Sequence, residues 1–491
     1  MSVSELLDWD GAAAAGAETA GGKGWNLGRL HRYGFAVPPG GVISASAYRR
    51  FMARPGLRPL IDALAPVTAA DAAAAETVLL LDRLRAAISA APMPHGLMAD
   101  LDGFLAACGL SSRPVAVRSS ATAEDSAAAS FAGIHQSFLH VTGVMAVADA
   151  VKGCYASLWT PHALAYRRRM ALPDDAVAAA VVILAMVPAR TAGVGFSCDP
   201  RTGRLDRFTI AASLGLGEAV VSGQAEPDAY IVDITKDPPV VAASKVGRKE
   251  CMTVARAGGG TELAPVAPQD AVQPALTDVQ IRELSYLIGR VQDALGGMQC
   301  PQDMEWAHDG QQFWVLQARP VTSFTPATFD AVANQPQVWS SANLKDVMPG
   351  VQSTLGWSFL RSGIDVLLTA PFLAGGYDCP QGIGWIRLFA GRPYFNLTAL
   401  QWAFWDAFAM PPGEVNRIMG GHQPEIAVPA LSAVQRAQRS LRQLRMIRRV
   451  MAALRGAPAE FRRLWDWAER AEAEPMAGWS KAQYLRQMLT V

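Results

Sequence analysis

The sequence predicts an α/β (α+β) domain followed by a mainly α-helical, incomplete second domain. The chain has 491 residues, which is too long for one hydrophobic core. Residues 1–322 alternate short β-branched runs with helical patterns, as mixed α/β folds do. Beyond residue 338 long helical patterns dominate, and eight of the 13 tryptophans fall there. We therefore expect domains at 1–322 and 338–491, joined by a linker at 323–337 that contains Pro326 and Pro336.

Short apolar runs and helical spacing predict the main elements of the first domain. The strand candidates are Val42-Ile43, Val115–Val117, Val181–Met186 and Phe313–Leu316. The helix candidates are Ser46–Met52 and Asp278–Leu295. The second helix begins at Asp278, and apolar residues follow at helical spacing at positions 281, 284, 287, 288 and 291.

Composition and charge exclude several classes of protein. Apolar residues make up 51% of the chain and charged residues 18%, which is enough apolar material for packed cores. The net charge of +1 gives no electrostatic reason to expect a nucleic-acid partner, so any bound anion must be held by a local site. The six cysteines form no CxxC pair and are expected to be free thiols. We expect a cytoplasmic protein with no membrane partner, since the N-terminus lacks a signal peptide and the longest apolar stretch, 176–187, is too short to span a bilayer.

Two segments carry groups that suit phosphate binding. The first is the run of residues 21–24, GGKG, in which glycines allow close approach of the backbone and Lys23 supplies a positive charge. The second is the run of residues 115–125, where Arg118 ends a strand and is followed by the hydroxyl groups of Ser119, Ser120 and Thr122. A surface ion pair of Arg118 with the nearby carboxylates at positions 124 and 125 is an equally good interpretation from these residues alone.

Residues 130–138, SFAGIHQSF, place small residues around Gly133. They could form a lid hairpin over a nucleotide or the turn of an ordinary hairpin. On these residues alone the ordinary hairpin is the better interpretation.

The segment 301–321, PQDMEWAHDGQQFWVLQARPV, predicts two strands joined near Asp309. Alternation places Asp303 and Glu305 on one face of the first strand, where two carboxylates can share Mg²⁺. Gln317 and Arg319 share a face of the second strand. All four side chains meet on one face only if the loop has an odd number of residues, and we expect a three-residue loop with Gly310 in the left-handed region. Without that register, the segment is a half-exposed hairpin with ordinary polar residues.

Six arginines lie in one predicted helix of the second domain: Arg436, Arg439, Arg442, Arg445, Arg448 and Arg449. Steps of three rotate steadily round a helix, so these side chains spread over a wide face. A solvated face is the favoured interpretation, and an anion site is the alternative.

Six blocks between residues 15 and 322 together resemble the N-terminal ATP-binding domain of the phosphoenolpyruvate synthase, pyruvate phosphate dikinase and rifampin phosphotransferase family. The blocks, in family order, are GGKGWNLGRL, VPPGGVIS, VAVRSSATAEDSAAASFAG, AGVGFSCDPRTG, SLGLGEAVVSGQAEPDAY and PQDMEWAHDGQQFWVLQARPVT. The resemblance implies an ATP-grasp-like fold, with ATP and Mg²⁺ as cofactors.

The resemblance also implies roles for individual positions. The residues expected to contact the phosphates and act in phosphoryl transfer are Lys23, Arg118 and Arg319. The expected magnesium ligands are Glu305 and Gln317, with Asp303 beside them. Gly133 and Ser137 are expected in the lid hairpin, the backbone of Met186 and Val187 at the adenine, and Glu218 in the wall of the site. Leu184 stands where the family usually has a glutamine, which removes one side-chain hydrogen bond to the nucleotide.

Members of the family pass the phosphoryl group through a histidine in a Gly-rich Thr/Ser-(Cys/Ser)-His context. None of the seven histidines lies in that context, and His422, in GGHQP, is a poor match. Residues from 338 onward, beginning VWSSANLKDVMPG, resemble the start of the acceptor-binding helical domain of rifampin phosphotransferases. The expected function is therefore the ATP-binding component of a dikinase-type phosphotransferase that is inactive alone. Its partners would be a small-molecule phosphate acceptor and a domain or polypeptide that carries the histidine. A pyruvate, water dikinase and a non-catalytic nucleotide-binding protein are the alternatives.

Overall fold

The computed structural model describes residues 5–122, 136–175, 177–221, 223–256, 258–296, 300–321, 327–377, 379–380 and 382–473. The chain divides into two compact units, Met1–Pro326 and Ala327–Val491. The division lies inside the segment 323–337 that the sequence assigns to a linker. Each unit is described by itself below.

The first unit contains an antiparallel sheet, called here the first sheet. Among the described residues its strands are β1 (Leu6–Asp8), β2 (Gly40–Ile43), β3 (Val115–Ala121), β4 (Ser137–Val141) and β5 (Ala179–Ala185), in the order β1-β2-β5-β3-β4. The central strand β5 is buried along its whole length, which explains its continuous apolar sequence AAVVILA. Val181 and Ile183 pack into one core, and Val182 and Leu184 pack into another on the opposite face. Each such side chain contributes roughly 1.5–3 kcal/mol by burial.

Helices cover both faces of the first sheet. They are α1 (Trp9–Ala15), α2 (Ala17–Arg32), α3 (Ala45–Met52), α4 (Arg58–Leu64), α5 (Ala75–Ala90), α6 (His95–Ala107), α7 (Val144–Ser157) and α8 (Pro161–Arg169), with a 3₁₀ turn at Asp71–Ala73. Helix α3 confirms the helix predicted from residue 46. Its buried face, which includes Tyr48 and Phe51, joins the core shared by α5, α6 and α7.

The second sheet of this unit is also antiparallel. Its strands are β6 (Thr191–Phe196), β7 (Arg207–Leu214), β8 (Asp228–Asp233), β9 (Val240–Lys245), β12 (Gln302–His308) and β13 (Phe313–Pro320), in the order β13-β12-β6-β7-β8-β9 within the described chain. The connections contain α9 (Glu218–Val221), the hairpin β10 (Cys251–Ala255) and β11 (Thr261–Pro265), α10 (Pro268–Ala271) and α11 (Asp278–Gly296). Leu284 and Ile288 of helix α11 pack in the same core as Met304 and Trp306 of β12. One face of β12 is therefore buried in the core, and its opposite face can contribute side chains to a site.

The second unit is mainly helical, and it also contains a small sheet that the sequence did not predict. Its elements are a 3₁₀ turn (Asp330–Val332), β14 (Trp339–Ser340), α12 (Leu344–Val347), α13 (Thr354–Gly375), β15 (Ile386–Phe389), β16 (Arg392–Asn396), α14 (Leu397–Phe408), α15 (Pro412–Ile418) and α16 (Ala433–Ala473). Phe372, Trp385, Leu400 and Met446 belong to its core. Helix α13 ends at Gly376, whose φ of 70° is in the left-handed region that glycine adopts without strain.

None of the described helices is long and apolar enough to cross a membrane. The six cysteines are free thiols, as predicted.

Candidate functional site

A cavity of about 230 Å³ lies between the two sheets of the first unit. One wall comes from β3, β4 and β5 of the first sheet, and the other from β6, β12 and β13 of the second. The residues that line it are Ala116, Arg118, Ser137, Leu139, Leu184–Val187, Ala189, Ala192, Gly193, Leu216–Glu218, Glu305–Ala307 and Leu316. Most of these are apolar, and the charged groups Arg118 and Glu305 face each other from opposite sheets.

Arg118 and Glu305 join the two sheets at the charged end of the cavity. Nη2 of Arg118 lies 2.6 Å from Oε2 of Glu305, and their side chains are 16% and 20% exposed. Nη1 of Arg118 donates a 3.4 Å hydrogen bond to the carbonyl oxygen of Leu316. The carboxylates at positions 124 and 125, considered as alternative partners from the sequence, lie outside the described residues. Arg118 is the fourth residue of β3, which continues to Ala121, so the prediction that it ends the strand is wrong. Its side chain faces into the cleft between the sheets.

The hairpin β12–β13 places four polar side chains on one face, but the predicted three-residue loop is wrong. The strands pair His308 with Phe313, which leaves a four-residue loop at 309–312, and a bulge then shifts the register by one residue. Beyond the bulge Glu305 pairs with Gln317, and Asp303 pairs with Arg319. The predicted left-handed Gly310 is present, with φ at 101°. An even-numbered loop alone would put Gln317 and Arg319 on the opposite face from Asp303 and Glu305. The extra residue at the bulge shifts the register by one and returns all four side chains to the same face.

Asp303 and Arg319 form a second ion pair beside the first. Nε and Nη2 of Arg319 both lie 2.9 Å from Oδ2 of Asp303. The other carboxylate oxygen, Oδ1, is buried and has no hydrogen-bond partner in the described part of the chain. Oε1 of Gln317, a residue only 4% exposed, is likewise buried and unpaired there. Buried acceptors with no donor are costly, so these two oxygens are available to a cation or a donor from outside the described residues.

The pKa values of the two carboxylates differ in direction. Burial opposes ionisation of Glu305, but the charges of Arg118, Lys23 and Arg319 outweigh it and hold its pKa below the usual range. Burial also opposes ionisation of Asp303, and there it prevails over Arg319, with Glu305 adding to it, so its pKa is raised. The effect of Lys23 and Arg319 on Glu305 shows that all these charges act on one small region.

Lys23 reaches this region because helix α2 is interrupted at Gly21. Gly21 has φ 66° and ψ 164°, and a Cβ atom there would overlap the carbonyl and hydroxyl oxygens of Ser120. The hydroxyl of Ser120 accepts hydrogen bonds from the backbone N–H of Lys23 (3.1 Å) and of Gly24 (3.4 Å). Glycine is therefore required at position 21 both for its backbone angles and for contact with β3. Ser120 and Ser119 are buried, and their hydroxyls bond to backbone groups: Ser120 to the N–H groups of Lys23 and Gly24, and Ser119 to the carbonyl of Gln136 (3.4 Å).

The far end of the cavity is apolar. Leu184, which is 2% exposed, lines it together with Met186 and Val187. The N–H of Met186 donates to the carbonyl of Pro114 (2.9 Å), and the carbonyl of Val187 accepts from Ala189 (2.7 Å). The remaining carbonyl of Met186 and N–H of Val187 belong to one trans peptide, and such groups point in opposite directions. Only one of them can face a ligand, so this end offers few directional contacts.

The predicted lid is described in part. Ser137, on β4, lines the cavity and pairs with Arg118 across the strands, whereas Gly133 lies outside the described residues. Glu218 also lines the cavity, and its Oε2 accepts a 2.7 Å hydrogen bond from the hydroxyl of Thr261 on β11. The hairpin β10–β11 is thus tied to the wall of the site.

Sequence reasoning missed several apolar residues in the wall, among them Leu139, Ala189, Leu216 and Leu316. Alternation along β4 could have identified Leu139, because it shares a face with Ser137. Leu316 could not have been identified, since the bulge places it on the same side as its neighbour Gln317. The position of Leu216 depends on contacts of its loop with Thr253.

The fold and site together define an α/β domain with a cavity between two antiparallel sheets that suits a nucleotide. Lysine and arginine side chains suit the phosphates, and the apolar end suits a flat base. A family model described as the pyruvate phosphate dikinase AMP/ATP-binding domain matches residues 17–337. The chain belongs to this family, as the sequence predicted.

Several curated proteins are similar to this chain over more than half of its length. A rifampicin phosphotransferase of Streptomyces sp is 37% identical over 363 residues, which cover 74% of this chain and 41% of that protein. A probable phosphoenolpyruvate synthase of Methanocaldococcus jannaschii is 35% identical over 341 residues, 68% of this chain and 28% of that protein. Another from Methanothermobacter thermautotrophicus is 38% identical over 314 residues, 63% and 45% respectively. The match thus spans less than half the length of each of these relatives.

Proposed function

We propose that this chain is the ATP-binding component of a dikinase-type phosphotransferase. In this reaction ATP is converted to AMP and phosphate, and a phosphoryl group passes through a phosphohistidine to a small-molecule acceptor. The observation that carries the proposal is that Arg118 pairs with Glu305 at the charged end of a mostly apolar cavity, where the charges of Lys23 and Arg319 also act on Glu305. Three cations can neutralise the charge that develops on a transferring phosphoryl group, and phosphoryl transfer depends mainly on such neutralisation and on positioning.

A divalent cation fits the same end. Asp303 and Gln317 each present a buried oxygen without a partner among the described residues, and Glu305 lies between them on the same face. Carboxylate and amide oxygens are the ligands that Mg²⁺ prefers, and Mg²⁺ at nucleotide sites is usually held by few protein groups together with phosphate oxygens. We propose that these three side chains hold Mg²⁺. The ion would supply neutralisation of phosphate charge.

The proposed phosphate acceptor is a small molecule. The rifampicin phosphotransferase and phosphoenolpyruvate synthase relatives favour a small molecule that accepts a phosphoryl group. We propose an acceptor like that of the rifampicin phosphotransferases, because residues from 338 onward resemble the helical domain of those phosphotransferases. Pyruvate is the alternative. The phosphohistidine is proposed to come from a domain or polypeptide outside these 491 residues.

Calorimetric titration with Mg·ATP tests the binding step. We expect saturable binding, and no heat together with no thermal stabilisation at millimolar Mg·ATP would contradict the proposal.

Incubation with β-labelled ATP tests the transfer step. The 491-residue chain alone should form no acid-labile phosphoprotein and little AMP. Addition of a polypeptide that carries the phosphohistidine domain should start AMP formation, and Arg319→Ala should abolish it. Release of AMP by the unaided chain at about 1 per second or faster, a rate typical of working enzymes, would contradict the need for a second component. Binding without any AMP in the complete mixture would instead indicate a non-catalytic nucleotide-binding protein.

A further inference from the structure

The second unit contains an open cavity of about 660 Å³ that no proposed step uses. Its volume lies within the range of about 300–1,000 Å³ that is usual for small-molecule sites. The lining combines aromatic rings with charged groups. The rings are those of Phe329, Tyr377 and Trp402, and the charged groups include Asp406 and three arginines.

Three of the six arginines of α16 line this cavity. Arg442, Arg445 and Arg449 are spaced by three and four residues, so they share one face of the helix. Met446, which is 2% exposed, is buried beside them in the core of the unit and fixes the rotation of the helix. The guanidinium of Arg449 lies against Gly376, where a Cβ atom would overlap it. The three side chains are solvent-exposed, as the sequence predicts, but they surround a cavity rather than a flat surface.

The carboxylates of the cavity neutralise only part of the charge of these arginines. Asp406 accepts a hydrogen bond from the hydroxyl of Tyr377 (2.9 Å) and pairs with Nη2 of Arg442 (2.6 Å). Asp330 is the other acidic residue in the lining. Within the described ranges Arg445 and Arg449 have no ion-pair or hydrogen-bond partner. Three arginines against two aspartates leave a net positive charge around the cavity.

A fourth arginine adds to this charge. The guanidinium of Arg439 lies 3.9 Å from the ring centroid of Trp405. Its Nε and Nη2 atoms are buried and have no hydrogen-bond partner among the described residues. Burial lowers its pKa, and Arg442 acts in the same direction, while Asp406 opposes them. A further anion near this group would be stabilised by the unbalanced charge.

Three aromatic rings also line the cavity. Phe329 and Tyr377 are less than a tenth exposed and their ring centroids lie 6.4 Å apart. Trp402 contributes a partly exposed ring that contacts Trp405 at 5.0 Å. Rings of this kind favour a flat apolar ligand, and arginine favours the paired oxygens of phosphate or carboxylate.

We propose that this cavity binds a small organic anion with an aromatic body and a phosphate or carboxylate group. The proposal does not rest on nucleotide binding in the first unit. It replaces the interpretation of the arginine helix as an ordinary solvated face.

Titration of the full chain with 1-naphthyl phosphate tests the proposal, with 1-naphthol and inorganic phosphate as the two half-ligands. We expect 1-naphthyl phosphate to bind at least about 10-fold more tightly than either half-ligand, because each half uses only one wall. A parallel titration with 1-naphthoate distinguishes a phosphate from a carboxylate ligand. Equal affinity for 1-naphthol and 1-naphthyl phosphate would overturn the proposal, since the arginines would then play no part.

Substitutions of residues that line the cavity test whether the probe binds there. The double substitution Arg445→Gln and Arg449→Gln should weaken 1-naphthyl phosphate binding by about 10-fold or more. Arg448→Gln, an exposed arginine on the same helix that does not line the cavity, should leave it unchanged. Trp402→Leu should weaken binding through loss of the ring, independently of charge. Equal affinities of the double variant and Arg448→Gln would overturn the proposal, as would displacement of the probe by Mg·ATP at concentrations that saturate the first unit.

Discussion

The two ends of the cavity in the first unit are built on opposite principles. At the charged end, Arg118 and Arg319 are each held by a carboxylate, and two further oxygens are buried without partners among the described residues. At the apolar end, Leu184 and its neighbours offer shape and apolar surface but few directional groups. The charged end should therefore determine affinity and cation dependence, whereas the apolar end should contribute little selectivity between bases.

The charged end also explains why nucleotide and cation should bind together. Glu305 and Asp303 form ion pairs with Arg118 and Arg319, the arginines that a phosphate would bind. A phosphate that approached without a cation would meet two carboxylates as well as the arginines, and like charges repel. A divalent cation would engage the carboxylates and release the arginines. Binding of Mg²⁺ and ATP should thus be coupled, and each should strengthen the other.

The largest effect is expected from Arg118→Leu. This substitution removes a proposed phosphate contact and leaves Glu305 without its partner in a partly buried position. We expect Mg·ATP affinity to fall by roughly 100-fold, as measured by titration calorimetry. Arg113→Leu, in the exposed loop before β3, is the matched control and should have no effect. A loss of less than threefold for Arg118→Leu would indicate that the charged end does not bind the phosphates.

Glu305→Gln should separate the cation from the nucleotide. With Mg²⁺ present, ATP affinity should fall by about 10-fold, because a proposed charged ligand of the metal is lost. With a chelator present, ATP should bind as well as to the unchanged protein or more tightly, since one repelling carboxylate is gone. Glu283→Gln, on the exposed face of α11, should alter neither titration. Equal losses with and without Mg²⁺ would show that Glu305 only supports Arg118.

The sequence predicted the charged end in outline but not in its geometry. Alternation along β12 and β13 correctly placed Asp303 with Glu305 and Gln317 with Arg319, because period-two spacing depends only on local backbone. The relation between the strands depends on a bulge beside Leu316, which no turn signal in the sequence marks. The pairing of Arg118 with Glu305 joins residues 187 positions apart, so only tertiary structure could reveal it.

The sequence was a weaker guide where a small side chain forms hydrogen bonds with the backbone. Ser120 was predicted as a hydroxyl near phosphate, but its buried hydroxyl holds the interrupted helix α2 through the N–H of Lys23. The small sheet of the second unit was also not predicted, since its strands are two to five residues long. Short strands carry too little periodicity to be distinguished from loops.

Leu184→Gln tests the apolar end. A glutamine there would provide a donor and an acceptor within the base-binding wall, where the backbone of residues 186 and 187 can offer only one group. We expect ATP to bind about 5-fold more tightly and the preference for ATP over GTP to increase, as competition titrations would show. Leu184→Met keeps the wall apolar and should leave both quantities unchanged. Weaker ATP binding by the glutamine variant, with an unchanged melting temperature, would place the base elsewhere.

The smallest expected effect is on stability, and it should have opposite signs at the two carboxylates. The pKa of Asp303 is raised by burial, so its ionised form destabilises the folded protein at neutral pH. Asp303→Asn should therefore raise the melting temperature of the ligand-free chain at pH 7. This gain should shrink as the pH falls through the raised pKa, where Asp303 itself becomes neutral.

The pKa of Glu305 is lowered by its cationic neighbours despite burial, so its ionised form stabilises the fold above its unfolded pKa. Glu305→Gln should lower the melting temperature at pH 7, and this loss should shrink as the pH falls through the folded pKa. We expect shifts on the order of 1–3 °C in scanning calorimetry, with opposite signs at pH 7 that converge in acid. Shifts of the same sign at pH 7 would show that the arginines do not distinguish the two carboxylates. In that case the coupling of Mg²⁺ to ATP would have to arise from Gln317 and the phosphates alone.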